Sequence, residues 1–299
     1  MFADCLIEKI QEKGTPCIVG LDPALKYIPL NFLQEQEICD SSSIQIKAEA
    51  LYLYNLEVID AVYDLVPAVK LQSAYYEVFG SYGIKALERT VVAAQQRGLL
   101  VLLDAKRGDI GSTSEAYAEA YLGGEGNNHK IDGMTIVPYL GEDCLIPFFE
   151  AAIASRKGIF VCVKTSNPGA AIIQDQLIGN RHLYEIVADI IRPWADKDIG
   201  KYGYGSVGAV VGATFPEASK ILRKQLPNSI FLVPGLGAQG GKHTSVRDCF
   251  NPDALGAIIS SSRAIMYPHL FHQSSQVAGQ KAIRNAAIEF IKNVQIAIA

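Results

Sequence analysis

The chain has 299 residues, of which 49% are hydrophobic and 19% charged, and its net charge at pH 7 is −4. This composition is typical of a globular protein with a large core, and the slight negative charge gives no general attraction to nucleic acid. All apolar runs are shorter than the roughly 18 residues that a membrane-spanning helix needs. We therefore expect neither nucleic acid nor a membrane among the partners of this protein.

Eight short apolar runs alternate with stretches of helical periodicity. In chain order, strands are predicted over residues 17–21, 68–71, 99–103, 133–137, 158–163, 207–211, 230–233 and 257–260. The main helices are predicted over residues 44–63, 83–96, 112–121, 183–191 and about 276–294. This alternation predicts an α/β protein, a single TIM barrel of the (β/α)8 type over residues 1–299. A doubly wound open sheet is the alternative, but it normally brings a glycine-rich turn after the first strand, which this sequence lacks.

The third predicted strand ends in a cluster of charge. The apolar residues 99–103 lead directly into Asp104, Lys106, Arg107 and Asp109. Residues two apart on a strand point the same way at a spacing of about 6–7 Å, so Asp104 and Lys106 should project together from its carboxyl end, where α/β enzymes hold their active sites. A lysine between two carboxylates stays protonated. Lys106 is therefore predicted to donate a proton rather than accept one, although a surface ion-pair cluster is the alternative interpretation.

Other polar residues follow predicted strands at the same edge. Asp22 comes directly after the first strand, and Lys70 lies within the second. A glycine-rich loop begins at Pro234 after the seventh strand, and Arg263 follows the eighth. In barrels these two loops commonly bind a phosphate through backbone N–H groups and an arginine. We therefore expect a phosphorylated ligand.

Neither the cysteines nor the histidines form a metal-binding pattern. The six cysteines are scattered without a Cys-x-x-Cys pair, and the five histidines show no His-Glu-x-x-His motif. We expect free thiols and no metal site. Residues 1–13 carry five charged side chains, unlike a secretory signal, so a cytoplasmic location is expected.

In these motifs the chain resembles the orotidine 5'-phosphate decarboxylase family, whose members carry out the last step of UMP synthesis. The resemblance covers essentially the whole predicted barrel. The matching residues are Asp22, Lys70, Asp104-x-Lys106-x-x-Asp109-Ile110, Lys164-Thr165-Ser166-Asn167-Pro168, Pro234-Gly-x-Gly-Ala-Gln239 and Arg263. The length of the chain and its Thr-Ser-Asn-Pro sequence are similar to the longer-chain branch of that family.

The resemblance implies a carbon–carbon lyase that converts orotidine 5'-phosphate to UMP in de novo pyrimidine biosynthesis without a cofactor. Lys106 would protonate C6 of the pyrimidine as carbon dioxide leaves. Asp104 would lie beside the substrate carboxylate and hold Lys106 in place. Lys70 and Asp22 would bind ribose hydroxyls, and Lys70 would also extend the chain of alternating charges. The implied catalytic residues are Lys106, Asp104, Asp109 and Lys70.

The resemblance also implies further binding residues and a homodimer with shared active sites. Ser166 would face the pyrimidine, Gln239 would bridge the base and the phosphate, and Arg263 would clamp the phosphate. Asp109 and Thr113 would reach into the site of the partner subunit. The full implied set of substrate-binding residues is Asp22, Thr113, Ser166, Pro234, Gln239 and Arg263.

Two positions depart from the family pattern or lack an implied role. Ser262 stands where other branches have a glycine before the phosphate-binding arginine, and Lys164 has no implied function. We expect Lys164 to extend its ammonium to solvent from the strand end. The insertion over residues 167–205 likewise has no function that the sequence indicates.

Three other functions fit part of the pattern. A sugar-phosphate decarboxylase or synthase of the same superfamily uses a similar third-strand motif with Mg²⁺, but those relatives look to have a glutamate where this chain has Lys70, and a cation there would repel the metal. A Schiff-base aldolase built on Lys106 or Lys164 needs a lysine of lowered pKa, against which the carboxylates around Lys106 argue. A non-enzymatic barrel that binds a nucleotide phosphate leaves the charges of the third strand unexplained.

Overall fold

The computed structural model describes residues 1–123, 129–236, 243–271 and 279–298, without the side chains of residues 243–245. Its strands are β1 (Cys17–Leu21), β2 (Ala68–Gln72), β3 (Leu100–Arg107), β4 (Gly133–Ile136), β5 (Gly158–Lys164), β6 (Leu177–Ile178), β7 (Arg181–His182), β8 (Val207–Val211), β9 (Phe231–Val233) and β10 (Ala257–Ser261). Eight of them close into a parallel barrel in the order β1-β2-β3-β4-β5-β8-β9-β10. The predicted (β/α)8 barrel is confirmed.

Helices connect the strands and surround the barrel. They are α1 (Phe2–Lys13), α2 (Leu30–Glu35), α3 (Ile44–Val62), α4 (Ser73–Glu77), α5 (Gly80–Gln96), α6 (Gly111–Leu122), α7 (Ile146–Ser155), α8 (Ala171–Gln174), α9 (Leu183–Ala195), α10 (Pro216–Gln225), α11 (Arg263–Met266) and α12 (Gln280–Ile298). Within the described residues, no helix is both long enough and apolar enough to cross a bilayer. All six cysteines are free thiols, as predicted.

The barrel is closed at the amino ends of its strands. Apolar side chains of the barrel interior, such as Leu102 and Phe160, pack together with those of α1. Phe2 of α1 lies edge-on to Phe160, with ring centroids 6.0 Å apart, and a side chain added at Gly158 would collide with the Phe2 ring. Because this end is filled, the polar residues of the strands gather at the opposite, carboxyl end, as in other barrels.

The structure departs from the sequence predictions mainly at the edges of elements. Strand β3 continues through Arg107 instead of ending at residue 103, so Asp104, Lys106 and Arg107 are part of the strand and Asp109 follows it. The insertion contains α8 and a small hairpin of β6 and β7 before the predicted helix, which itself runs on to Ala195. The helix predicted over 276–294 is observed as Gln280–Ile298, and residues 276–278 lie outside the described part of the chain.

Candidate active site

A cavity of about 1040 Å³ opens at the carboxyl ends of the barrel strands. Seven of the residues predicted to act in the site line it together: Asp22, Lys70, Asp104, Lys106, Ser166, Pro234 and Arg263. Two others, Asp109 and Thr113, are not among the described residues that line this cavity. Gln239 lies outside the residues that the structure describes.

Four charged side chains of alternating sign form a chain along the cavity floor. The Lys70 ammonium lies 4.0 Å from the nearer carboxylate oxygen of Asp22 and 3.0 Å from Asp104. The Lys106 ammonium lies 2.5 Å from the other oxygen of Asp104. Lys70 is only 5% exposed, whereas the Lys106 side chain is 44% exposed. The chain of charges thus runs from a buried lysine to one that reaches the open cavity.

The carboxylate of Asp104 receives four hydrogen bonds. Its Oδ2 accepts from Lys70 Nζ at 3.0 Å and from Gln72 Nε2 at 3.1 Å. Its Oδ1 accepts from Lys106 Nζ at 2.5 Å and from the hydroxyl of Thr135 at 2.8 Å. An ionised carboxylate offers about four lone-pair positions, so these donors fix its orientation. Gln72 and Thr135 were not predicted to act in the site. The one feature of the sequence that could have indicated them is that each is a polar residue in a mostly apolar strand.

The electrostatics at Asp104 and Lys70 favour the charged form of each side chain. Burial acts to raise the pKa of Asp104, but the ammonium groups of Lys70 and Lys106 outweigh it and hold that pKa well below its usual range. Burial likewise acts to lower the pKa of Lys70, and the carboxylates of Asp104 and Asp22 outweigh it and raise that pKa. Ionised Asp104 and protonated Lys70 are therefore mutually dependent.

A break in the regular pairing of β3 brings Lys106 to Asp104. Lys106 has a φ of +49°, a left-handed conformation that is unusual for a residue other than glycine. The pairing with β4 shifts between Leu103 and Arg107, as in a β-bulge. The prediction that the two charged side chains lie together is confirmed, but a bulge rather than plain strand alternation achieves it.

The backbone around Ser166 is closely packed on β8. The N–H of Gly212 donates to the carbonyl of Lys164 at 2.7 Å, and a side chain at Gly212 would lie 2.7 Å from the Cα of Ser166. The hydroxyl of Thr214 donates to the Ser166 carbonyl at 3.3 Å. Only glycine at position 212 therefore leaves room for the backbone of Ser166 to lie this close to the end of β8.

Part of the predicted phosphate site is visible beside β1 and β10. Ser262 and Arg263 follow β10 and line the cavity. Gly20 of β1 lies directly under Ser262, so that any side chain at position 20 would collide with the serine hydroxyl. Pro234 and Gly235 line the same cavity, but residues 237–242 of their loop lie outside the described part of the chain.

The two residues predicted to serve a partner subunit lie at the rim. Asp109 follows β3 and is partly exposed, and its Oδ1 accepts the N–H of Ile110 at 2.8 Å. Thr113 lies in the first turn of α6 and is exposed. Neither takes part in the chain of charges described above. Their role across a dimer therefore stays a prediction.

The prediction that Lys164 extends to solvent is wrong. Its side chain is 1% exposed, its ammonium pairs with Asp175 of the insertion at 2.5 Å, and it lies 4.1 Å from the centre of the Phe215 ring. The pairing of β5 with β8 shifts between Cys162 and Lys164, so that Val163 lines the cavity in its place. The carboxylate of Asp175 in the insertion thus compensates the positive charge of Lys164, which the irregularity in β5 buries.

A second polar link docks the insertion beside this ion pair. The N–H of Thr165 donates to Gln174 Oε1 at 2.9 Å, and Gln174 Nε2 donates back to the Thr165 hydroxyl at 2.9 Å. The insertion thereby contributes to the cavity wall, through Ile173, Gln174, Leu183, Tyr184, Ile186, Val187 and Ile190. Its position next to Ser166 gives it a structural role at the site that the sequence did not indicate.

Among the described residues, no group of three or more histidine, cysteine, aspartate or glutamate side chains could hold a metal ion. The carboxylates of Asp22 and Asp104 are separated by the ammonium of Lys70, which opposes a cation between them. Independence from metals stays a prediction that chelation can test.

Comparison with known proteins places the chain among decarboxylases. The profile described as "Orotidine 5'-phosphate decarboxylase / HUMPS family" matches residues 16–267. Orotidine 5'-phosphate decarboxylase of Caldicellulosiruptor bescii is 39% identical over 301 residues, covering 96% of this chain and 99% of that relative. The enzyme of that name from Rhodopirellula baltica is 42% identical over 298 residues, covering 96% and 97%.

Solved structures agree with the sequence relatives. A putative orotidine-monophosphate decarboxylase from Toxoplasma gondii has a TM-score of 0.82 and 29% identity, covering 99% of this chain and 96% of its own. A putative orotidine 5'-phosphate decarboxylase from Streptomyces avermitilis has a TM-score of 0.78 and 32% identity, covering 99% and 95%. The likeness extends over nearly the full length of each protein.

Because Lys164 is buried and Asp175 is partly exposed, the removal of either partner of this ion pair should destabilise the protein by a different amount. Asp175→Asn leaves the ammonium buried without its carboxylate, and we expect it to lower the free energy of unfolding by roughly 3 kcal/mol. Lys164→Met leaves a carboxylate that is 34% exposed and can be hydrated, and we expect a loss of about 1 kcal/mol. Urea denaturation measures both.

The matched control is Glu217→Gln, which removes the nearer of the two carboxylates that pair with the exposed Lys220. It should change the free energy of unfolding by less than about 0.5 kcal/mol. If Asp175→Asn costs no more than Lys164→Met, the buried ammonium does not depend on Asp175.

Proposed function

Because this chain belongs to the orotidine 5'-phosphate decarboxylase / HUMPS family, we propose that it removes the carboxylate of orotidine 5'-phosphate and forms UMP. The chain is an enzyme of the carbon–carbon lyase class, as its relatives are. One observation carries the proposal for this site: the Lys106 ammonium is held against Asp104 on the floor of a cavity that also contains Arg263. The reaction belongs to pyrimidine biosynthesis, and we place it in the cytoplasm, where six free thiols are stable.

The proposed chemistry uses the fixed charges of the protein and no cofactor. The bond between C6 and the carboxylate carbon breaks, carbon dioxide leaves, and the electron pair stays on C6. A proton then passes from the Lys106 ammonium to C6, and solvent returns a proton to the lysine. An ammonium aimed at C6 stabilises charge that develops only as the bond breaks, which lowers the barrier rather than merely binding the substrate.

Asp104 has two roles in this proposal. It holds the Lys106 ammonium at 2.5 Å, and its negative charge disfavours the substrate carboxylate placed beside it. Because Lys70 and Gln72 also hold the carboxylate, Asp104 cannot easily turn away from an approaching anion. The repulsion between Asp104 and the substrate carboxylate is therefore relieved as carbon dioxide leaves.

Other residues bind the substrate in this proposal. Asp22 and Lys70 bind ribose hydroxyls, and Ser166 faces the pyrimidine. Arg263 clamps the phosphate together with the loop that begins at Pro234, and Gln239 of that loop bridges the base and the phosphate. This assignment is supported by the cavity lining, which contains Asp22, Lys70, Ser166, Pro234 and Arg263. Binding energy from the phosphate, which lies away from the reacting carbon, can help to lower the barrier.

We further propose a homodimer in which Asp109 and Thr113 complete the site of the partner. Large apolar side chains are exposed after three neighbouring strands, β2, β3 and β4: Val78 is 74% exposed, Ile110 62% and Tyr139 80%. Exposed apolar surface of this kind marks protein–protein contacts. Asp109 and Thr113 follow the central strand of the three, and this position supports a role across the interface.

Absorbance at the pyrimidine band tests the function directly. Purified protein, dialysed exhaustively against EDTA, should convert orotidine 5'-phosphate to UMP, and borohydride added with the substrate should trap no lysine adduct. Activity that disappears on chelation and returns with Mg²⁺ would favour the sugar-phosphate enzymes. A trapped adduct would favour the Schiff-base aldolase.

Removal of the proposed proton donor should separate chemistry from binding. Lys106→Ala should lower kcat by about 10³-fold or more, because it removes both the proton and the charge that faces C6. UMP should bind within about threefold of its normal Kd, since the proposed phosphate grip lies on other strands. Steady-state kinetics and calorimetric titration with UMP measure the two effects.

Lys220→Ala is the control, because Lys220 lies on α10 and pairs with the exposed Glu217. It should leave kcat unchanged. A kcat for Lys106→Ala within tenfold of the parent would remove Lys106 from its proposed role.

Subunit exchange tests the shared site. Lys106→Ala and Asp109→Ala proteins should each be nearly inactive, yet a mixed dimer contains one site with both native residues. Random reassortment at equal amounts makes about half of the dimers mixed, each with one intact site of two, so about a quarter of the wild-type activity should return. Each variant treated alone is the control, and no recovery despite verified exchange would mean that Asp109 serves its own subunit.

A further inference from the structure

Thr135 is a buried polar residue in the middle of an apolar strand. It is 2% exposed and lies on β4 between Met134 and Ile136, whose side chains pack in the apolar core. It also lines the cavity that contains Asp104 and Lys106. A hydroxyl at such a position needs partners, and both of its partners belong to the proposed catalytic pair.

The bulge in β3 creates the need for this hydroxyl. Leu103 pairs with Met134 and Arg107 pairs with Ile136, so residues 104–106 of β3 lie opposite Thr135 alone. The N–H of Lys106 therefore has no regular ladder partner on β4. It donates instead to Oγ1 of Thr135 at 3.0 Å.

The direction of these hydrogen bonds is fixed by charge. Ionised Asp104 can only accept, so the Thr135 hydroxyl donates its proton to Asp104 Oδ1 at 2.8 Å. Its lone pair is then free to accept the N–H of Lys106. One hydroxyl thus joins the backbone of Lys106 to the carboxylate that holds the ammonium of the same residue, which is 2.5 Å from that oxygen.

We propose that Thr135 is a positioning residue that aims the Lys106 ammonium at the reacting carbon. The left-handed conformation of Lys106, with φ of +49°, is costly unless the surroundings enforce it, and the Thr135 hydroxyl is one group that does so. Without it, Lys106 can relax toward a regular strand and carry its ammonium away from Asp104. This inference rests on the proposed decarboxylation and names a residue on which its rate depends.

The test compares two substitutions at position 135. Thr135→Val keeps the shape of the side chain and removes the hydroxyl, whereas Thr135→Ser keeps the hydroxyl. Misplacement of a reacting group by about 1 Å can cost 10²-fold in rate, so Thr135→Val should lower kcat by about 10²-fold. Thr135→Ser should stay within about fivefold of the parent, and both should bind UMP within about threefold of its normal Kd.

Thr90→Val is the matched control. Thr90 is fully buried, and its hydroxyl donates to the Ala86 carbonyl at 2.8 Å on α5, away from the cavity. This variant loses the same group from a core position and should keep kcat. A loss of kcat equal to that of Thr135→Val would assign the effect to general destabilisation and overturn the proposal.

Crystal structures of the parent and of Thr135→Val give a readout that does not depend on activity. We expect Lys106 to leave the left-handed region, or its ammonium to move beyond 3.5 Å from Asp104. An unchanged Lys106, or a kcat for Thr135→Val within threefold of the parent, would overturn the positioning role. A parent protein that is inactive on orotidine 5'-phosphate would instead overturn the proposed function, while the crystal structures would still decide the role of Thr135.

Discussion

The carboxylate of Asp104 is the group on which the rest of the site depends. Two ammonium groups, one of them on a lysine that is 5% exposed, could not share this space without a negative charge between them. Asp104 in turn keeps its charge at 8% exposure because Lys70, Gln72, Lys106 and Thr135 all donate to it. The removal of any one donor would leave the buried carboxylate less well compensated and the remaining donors less firmly held.

The barrel supplies these groups from adjacent strands. Asp22 follows β1, Lys70 and Gln72 lie on β2, and Asp104 and Thr135 lie on β3 and β4. The pairing of β2 with β3 sets Gln72 beside Asp104. Because backbone ladders hold the strands, the distances between the charges are fixed before any ligand enters, which is what electrostatic stabilisation requires.

Much of this architecture could be predicted from the sequence. Each barrel strand contains a short run of buried residues, and the alternation of such runs with helices predicts the barrel. Polar residues at the ends of those runs predict where the site lies. The residues Asp104 and Lys106 were predicted to lie together, and they do.

The remaining features depend on contacts between distant parts of the chain. The bulge at Lys106 exists only in relation to β4, so the need for Thr135 cannot be seen in either strand alone. Lys164 looked like a lysine that reaches solvent because its partner, Asp175, belongs to an insertion whose path the sequence does not indicate. Local sequence patterns predict helices and strands. The contacts of Lys106 with Thr135 and of Lys164 with Asp175 depend on how distant segments of the chain align with each other, which local patterns do not contain.

The protonation state of Asp104 tests the central claim most directly. In protein labelled with ¹³C at aspartate carboxyl carbons, the Asp104 resonance can be identified by its absence from Asp104→Asn. An ordinary aspartate is half protonated near pH 3.9. The Asp104 signal should stay in its ionised position as the pH is lowered from 7 to about 4, because the lysines hold its pKa well below the usual range. A titration midpoint at or above about 4 would contradict the account, since the carboxylate would then not be held by its four donors.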